Sequence, residues 1–215
     1  MIERAEPAPA VAEEFPGLAL YHLRVEGGSG PSPRGVRERL DILGDRFTGA
    51  RALQLRNQPI PWAYRVFFRH IGIDPDLTRT PVEALALARL QDGAFVSRNL
   101  LDDALSLATI ETGVAVIAFD ADRIGTELSL RGAGPDERIE GEAAPLSPGT
   151  LLIVDRERPL AVLFGDLADG RGVANQTTAI RLVAIAVEGV PAIAISEALW
   201  LVAELIKVGP DRRRR

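Results

Sequence analysis

A change of hydrophobic pattern near residue 113 most constrains the fold of this chain. Before it, apolar residues recur at helical spacing, whereas after it they form short runs typical of β-strands. Turn sequences such as GAGPD, LSPG and DRERP separate these runs. The predicted strands are VAVIAF (114–119), ELSLR (127–131), ERIEG (137–141), TLLIVD (150–155), LAVLFG (160–165) and IRLVAIAV (180–187).

Helices are predicted on both sides of this run of strands. Thr80, Pro81 and Glu83 form the start signal of a helix, with a capping residue, a proline in the first turn and a glutamate three residues after the cap. Helices first, then strands, then a helix indicate an α+β fold. The other predicted elements are helices at 33–47, 59–72, 97–110 and 192–207, and a strand at 18–25.

The two ends of the chain differ in composition from its middle. Residues 1–16 are rich in Ala, Pro and Glu, and we expect a flexible lead-in there. Residues 17–209 are expected to form a single domain, and 210–215 a basic tail that contacts RNA or is disordered. The N-terminus does not resemble a signal peptide, and the apolar stretch 192–206 is shorter than the roughly 20 residues of a membrane span, so we expect a cytoplasmic protein.

The residue types present exclude several kinds of chemistry. The chain has no cysteine, which excludes disulfides and thiolate catalysis, and its two histidines, His22 and His70, make a multi-histidine metal site improbable. We expect no metal and no cofactor. Both histidines are interpreted as structural, His22 within a strand and His70 near a helix C-terminus.

Charge is distributed unevenly along the chain. The net charge of -5 argues against strong non-specific binding to nucleic acid. Residues 46–98, however, carry eight arginines and four acidic residues, for a formal charge of +4. This region is either a solvated face with salt bridges or a positive face for RNA or phosphate. The RNA-binding candidates are Arg51, Arg56, Arg65 and Arg69.

Two groups of polar residues could carry chemistry. Asn99, Asp103 and Ser106 share one face of a predicted helix, where they line a ligand pocket or form the wet side of that helix. Asp120 and Asp122 lie near the end of the stretch GVAVIAFDADRI and point to one side of the chain. This carboxylate pair could serve acid–base chemistry or hold a divalent cation, or Asp120 could form an Asx turn and Asp122 cap the next turn. Thr177 could bind a ligand or cap the next element.

Six landmarks follow one another in residues 79–191, namely PVEALALARL, RNLLDDALSL, AVIAFDADRIGTELSLRGA, ERIEG, LSPGTLLIVDRERPLAVLFGDL and GRGVANQTTAIRLVAIAVEGVP. In their order and spacing they resemble the tRNA-binding and editing domain of the bacterial phenylalanyl-tRNA synthetase β subunit, called the B-three/B-four domain. This resemblance implies an α+β domain with a β-sandwich-like core of unusual topology flanked by helices. It also implies a stand-alone form of a domain that, in the synthetase, hydrolyses tyrosine mischarged onto phenylalanine tRNA.

The chain departs from this family at the residues that edit tyrosine. By the resemblance, Ile117 replaces a histidine of the editing pocket and Val183 replaces a glutamate that recognises the tyrosine hydroxyl. A glycine pair of the family becomes a segment containing Leu167. Isoleucine and valine offer no hydrogen bond to a hydroxyl, so a pocket lined by Ile117, Leu167 and Val183 would hold an apolar side chain or be filled core.

Three functions therefore stay open. The chain is expected to bind tRNA or aminoacyl-tRNA without the tyrosine-editing residues. Alternatively, it hydrolyses a mischarged tRNA in trans, without being a complete tRNA ligase, or it is a small-molecule-binding or scaffold protein. Candidate catalytic residues for the hydrolase are Asn99, Asp103, Ser106, Asp120 and Thr177.

Overall fold

The computed structural model describes residues 1–209, so the basic tail expected at 210–215 lies outside the described residues. The helices are α1 (Pro9–Glu14), α2 (Arg34–Arg46), α3 (Gly49–Leu55), α4 (Pro59–His70), α5 (Pro81–Asp92), α6 (Leu100–Thr112) and α7 (Ala192–Val208). The strands are β1 (Glu3–Ala5), β2 (Ala19–Glu26), β3 (Val116–Asp120), β4 (Leu128–Gly132), β5 (Leu151–Asp155), β6 (Arg158–Val162) and β7 (Ala179–Ala186).

The strands form two antiparallel sheets. The larger sheet has the order β1-β2-β7-β3, and the smaller has the order β4-β5-β6. Strand β7 therefore lies between β2 and β3, and all eight of its residues are buried. The last strand of the chain thus occupies an interior position beside a strand from its N-terminal region.

Strand β7 separates two hydrophobic clusters, because successive side chains of a strand point to opposite faces. Ile180, Leu182 and Ala184 pack with helices α6 and α7. Val183 and Ile185 pack with residues of the smaller sheet, in a space that we call the intersheet layer. The predicted α+β class, with a sandwich-like core flanked by helices, is confirmed. None of the helices within 1–209 is long and apolar enough to cross a membrane.

The helix predictions are largely confirmed, and their start signals form as expected. Thr80 and Glu83 make the predicted capping box at the start of α5. Helix α3 was not predicted. It is short, and Thr48 is its N-cap. The Thr48 side chain accepts a hydrogen bond from the backbone N–H of Arg51.

The predicted strand at 137–141 is wrong, since these residues form a loop that ends in a turn. The guanidinium of Arg131 donates to both carboxylate oxygens of Glu137, at 2.6 and 2.8 Å. The same carboxylate accepts from the backbone N–H of Gly134 at 2.8 Å. These local bonds bend the chain back on itself, so the segment does not extend along a neighbouring strand.

Residues 1–16 differ from the expected flexible lead-in. Strand β1 pairs with β2, with Glu3 opposite His22. The N–H of Ala8 donates to the carbonyl of Leu130 at 2.7 Å, and Val11 of α1 is buried in the intersheet layer. Sequence reasoning missed these elements because both are short, and their pairing with distant strands leaves no local periodicity.

Replacing Val11 with Ala tests whether this N-terminal segment is part of the folded core. Removing buried methyl groups leaves a small cavity, and we expect the free energy of unfolding to fall by roughly 2 kcal/mol in denaturant titrations. The control is Glu13→Ala, at an exposed position of the same helix. If both variants are as stable as the unmodified protein, residues 1–16 are not part of the folded core and the expectation of a flexible lead-in holds.

Candidate functional site

The polar stripe predicted on α6 is divided between two roles. Asn99 caps the helix by accepting from the backbone N–H of Asp102 at 2.9 Å. Asp103 is buried and accepts from the hydroxyl of Ser32, the hydroxyl of Ser97 at 2.6 Å and the N–H of Arg98 at 3.0 Å. These donors fasten two loops to the start of the helix, which is a structural role for Asn99 and Asp103.

Ser106, the third residue of this stripe, lies on the wall of a cleft. The cleft has a volume of about 450 Å³, lies between α5 and α6, and also contacts Asp103 and Val116. Val116 belongs to the helix-facing side of the larger sheet, whereas Ile117 points into the intersheet layer. Ser106 and Ile117 are therefore on opposite faces of the sheet and do not share a pocket.

Asp120 and Thr177 are brought together as a buried pair. The Thr177 hydroxyl donates to Oδ2 of Asp120 at 2.6 Å. The backbone N–H of Asp122 donates to Oδ1 at 3.0 Å, which is the geometry of an Asx turn. Asp122 itself is exposed and binds Arg24 at 3.3 Å. The two carboxylates of this stretch do not converge, and Asp120 is placed to hold the end of β3.

Ile117 and Val183 are direct cross-strand partners on β3 and β7. Val183 is fully buried in the intersheet layer, and Ile117 is packed against the same cluster. Leu167 lies instead in the loop after β6, where it is 39% exposed and bridges to Ala161. The structure thus brings together Ile117 and Val183, two of the three predicted pocket residues. Packed apolar side chains surround them.

Two polar residues that sequence reasoning left out lie beside this apolar pair. His22 of β2 is the cross-strand partner of Val183 on the side opposite Ile117. Arg181 lies two residues before Val183 on β7, on the same face of the sheet, and its Nη1 is 3.1 Å from Nδ1 of His22. Both side chains are buried. No local pattern marks this pair, because 159 positions separate its members.

The protonation state of His22 follows from this contact. A guanidinium carries only donors, so Nδ1 accepts and the imidazole is neutral, with its proton on Nε2. Burial, reinforced by the positive charge of Arg181, lowers the pKa of His22 below its usual value. Burial likewise lowers the pKa of Arg181. The intersheet layer therefore contains one cation beside one neutral ring.

Four arginines converge on Asp76, and we call Arg56, Arg65, Arg69 and Arg79 the arginine cluster. Their shortest distances to the Asp76 carboxylate are 2.7, 2.8, 3.9 and 3.4 Å, respectively. Hydrogen bonding from Arg65, followed by the charges around it, lowers the pKa of Asp76.

Arg65 differs from the rest of the arginine cluster because it is only 1% exposed. Its guanidinium also binds Glu83 at 2.7 Å, so it joins α4 to α5. The prediction that Arg65 contacts RNA is therefore corrected to a structural role. Arg51, predicted with it, lies apart from the cluster and stacks over the Phe47 ring at 5.8 Å.

Residues capable of holding a metal ion do not cluster in the described part of the chain. Within residues 1–209, no group of three or more His, Asp and Glu side chains has a suitable arrangement.

Comparison with known proteins identifies a family for most of these elements. The family described as "B3/4 domain" matches residues 63–201, which are 139 of the 215 residues. The matched range contains Asp76, Ile117 and Val183, whereas β2, with His22, lies outside it. No curated protein gives a significant match to the chain.

The adjacent threonines 177 and 178 allow a matched test of the buried Asp120 pair. Thr177→Val removes the hydroxyl that donates to Asp120 and leaves a buried carboxylate oxygen short of a partner, so we expect a loss of about 1–3 kcal/mol in unfolding free energy. Thr178→Val, at an exposed side chain, should change stability by less than about 0.5 kcal/mol. If chemical denaturation shows the same loss of stability for both variants, the structural role assigned to Asp120 and Thr177 is contradicted.

Proposed function

We propose, from the premise that the chain belongs to the B3/4 domain family, that it binds tRNA or aminoacyl-tRNA and does not edit tyrosine. The domain is found in the phenylalanyl-tRNA synthetase β subunit. RNA is the partner that fits both the family of the chain and the locally positive surface formed by its arginines. The cytoplasm, where tRNA is used, remains the predicted compartment.

The arginine cluster is the observation that carries the RNA-binding proposal. Four guanidinium groups share the carboxylates of Asp76 and Glu83, so the cluster keeps a formal charge of +2. Arg56, Arg69 and Arg79 are each between 38% and 47% exposed. Exposed guanidinium groups bind phosphate oxygens in a fixed fork geometry. The cluster therefore offers several phosphate contacts on one surface.

An exposed aromatic ring lies beside these cations. Trp62 is 49% exposed, and the guanidinium carbon of Arg69 is 5.8 Å from its ring centroid. Unpaired bases of RNA stack on such rings, which adds a contact independent of sequence. The overall negative charge of the chain does not oppose this binding strongly, because charges beyond about 8 Å are screened at physiological salt.

The packed pair Ile117–Val183 supports the second half of the proposal. By the resemblance, these two positions hold the histidine and glutamate that edit tyrosine. Here they are apolar cross-strand neighbours, and neither lines any of the three clefts described for the molecule. Recognition of a hydroxyl requires a buried hydrogen-bond partner, which this pair does not supply.

Neutralising the exposed members of the arginine cluster tests RNA binding. We expect the triple variant Arg56→Gln, Arg69→Gln, Arg79→Gln to bind unmodified tRNA about tenfold or more weakly at low salt. Its dependence of log Kd on log salt concentration should be shallower by roughly 2–3, since each lost phosphate contact removes about 0.7–0.9. Filter binding across a salt series measures both quantities.

A matched control uses an arginine outside the cluster. Arg34 is highly exposed on α2 and pairs only with Glu38 of the same helix in the described structure, so Arg34→Gln should leave binding and salt dependence unchanged. Circular dichroism checks that the triple variant is folded, which is expected because Arg65 still pairs with Asp76 and Glu83. An unmodified protein that retains no tRNA at low salt refutes the binding proposal.

A deacylation assay tests the absence of editing separately. Incubated with phenylalanine tRNA carrying radiolabelled tyrosine, the protein should release tyrosine at the rate of buffer alone. A panel of other mischarged tRNAs distinguishes a binding protein from a deacylase of different specificity. Release of tyrosine above the buffer rate would contradict the assignment made for Ile117 and Val183.

A further inference from the structure

A buried arginine in the intersheet layer has no counter-ion in the described structure. Arg181 is 5% exposed, and it faces the same layer as Val183 and Ile185. Its Nη1 contacts His22, which is neutral, and its Nε has no hydrogen-bond partner. Within residues 1–209, no carboxylate oxygen lies within 4.0 Å of this guanidinium. Burying a cation in this way is costly unless something pairs with it.

A buried acidic residue across the layer from Arg181 is held in other contacts. Asp155 ends β5 on the opposite sheet, is buried and attracts Arg181 across the layer. Its Oδ2, however, accepts from the N–H of Gly125 at 2.6 Å and from Arg158 at 2.8 Å. A Cβ at position 125 would lie 2.3 Å from Oδ1 of Asp155, so the glycine permits this close approach. The local structure thus holds Asp155 in contacts away from Arg181.

A second cation lies next to Arg181 near the surface. Arg24 of β2 is the cross-strand partner of Arg181 and is 43% exposed. It contacts Asp122 at 3.3 Å and Glu26 at 3.1 Å, and both of those carboxylates are themselves exposed. Glu3, opposite His22 on β1, is also exposed and attracts the pair only from a distance.

A wide cleft begins beside these groups. It has a volume of about 780 Å³ and is lined by Asp122, which binds Arg24, and by Asp155, which faces Arg181. Arg123, Arg156 and Arg158 also line it, together with the carboxylates of Glu127 and Glu157.

We propose that Arg181, Arg24 and His22 form a binding site for the phosphate or carboxylate group of a small ligand. The Nε and Nη2 atoms of Arg181 present the edge of a guanidinium that binds two anionic oxygens at once. Arg24 adds a second guanidinium, and His22 orients Arg181 through Nη1. The site adjoins the Ile117–Val183 pair along the register of β2, β7 and β3. The proposal uses none of the arginine cluster and stands apart from RNA binding.

Thermal unfolding of the full chain in phosphate or acetate tests the proposal. Ionic strength is held constant with sodium chloride, which serves as the reference anion. We expect the unfolding midpoint to rise and saturate with at least one of the two anions, because a ligand that binds only the folded state stabilises it. The anion with the larger shift identifies the ligand group as phosphate or carboxylate. No shift beyond that of chloride with either anion overturns the proposal.

Variants assign the effect to Arg181. Arg181→Met should abolish the anion-dependent shift, yet raise the midpoint without anion, because an uncompensated buried charge is replaced by an apolar side chain. A purely structural arginine would give the opposite sign, and a variant that is destabilised or unfolded overturns the proposal. Arg24→Gln should weaken the apparent affinity by about tenfold, or roughly 1.4 kcal/mol. Arg156→Gln, in the same cleft and paired with Glu127, is the control and should retain the full shift.

Discussion

The pairing of β7 between β2 and β3 is the interaction on which the rest of the structure depends. It joins residues from the N-terminal region to the last strand of the chain, with Ala19 opposite Ala186 and Glu26 opposite Ala179. Because β7 is buried on both faces, it forms part of the helix-facing core and of the intersheet layer at the same time. A one-residue shift in the pairing of β7 would move each of its side chains to the opposite face and disturb both cores. The register is therefore strongly specified.

This register also decides what kind of site the intersheet layer can contain. It places His22, Val183 and Ile117 abreast, with Arg24, Arg181 and Phe119 in the adjacent row. In the first row, Ile117 and Val183 are apolar side chains packed in the same cluster. In the second row, a buried arginine faces the layer beside a neutral histidine. The layer therefore holds the polar pair of His22 and Arg181 beside the apolar pair of Ile117 and Val183.

The sequence predicted the elements well where their signals are local. Thr80 and Glu83 predicted the start of α5, and the apolar runs predicted six of the strands. The failures share one cause, which is that a bonding partner outside the segment itself decides the outcome. The segment 137–141 looks like a strand but turns because Arg131 holds Glu137, and β1 looks like a tail but pairs with β2. Likewise, the sequence does not distinguish Arg65 from the surface arginines around it. In the structure, Arg65 is buried and pairs with Asp76 and Glu83.

By itself, the sequence determined the α+β class, most element positions and the family resemblance. These depend on residue identity, order and local periodicity, which a linear reading contains. Only the tertiary structure decided that Ser106 and Ile117 face opposite sides of a sheet, and that His22 meets Arg181. The contact between His22 and Arg181 is set by strand pairing across more than 150 residues. Burial then leaves this arginine without a counter-ion among residues 1–209, a property that no local pattern encodes.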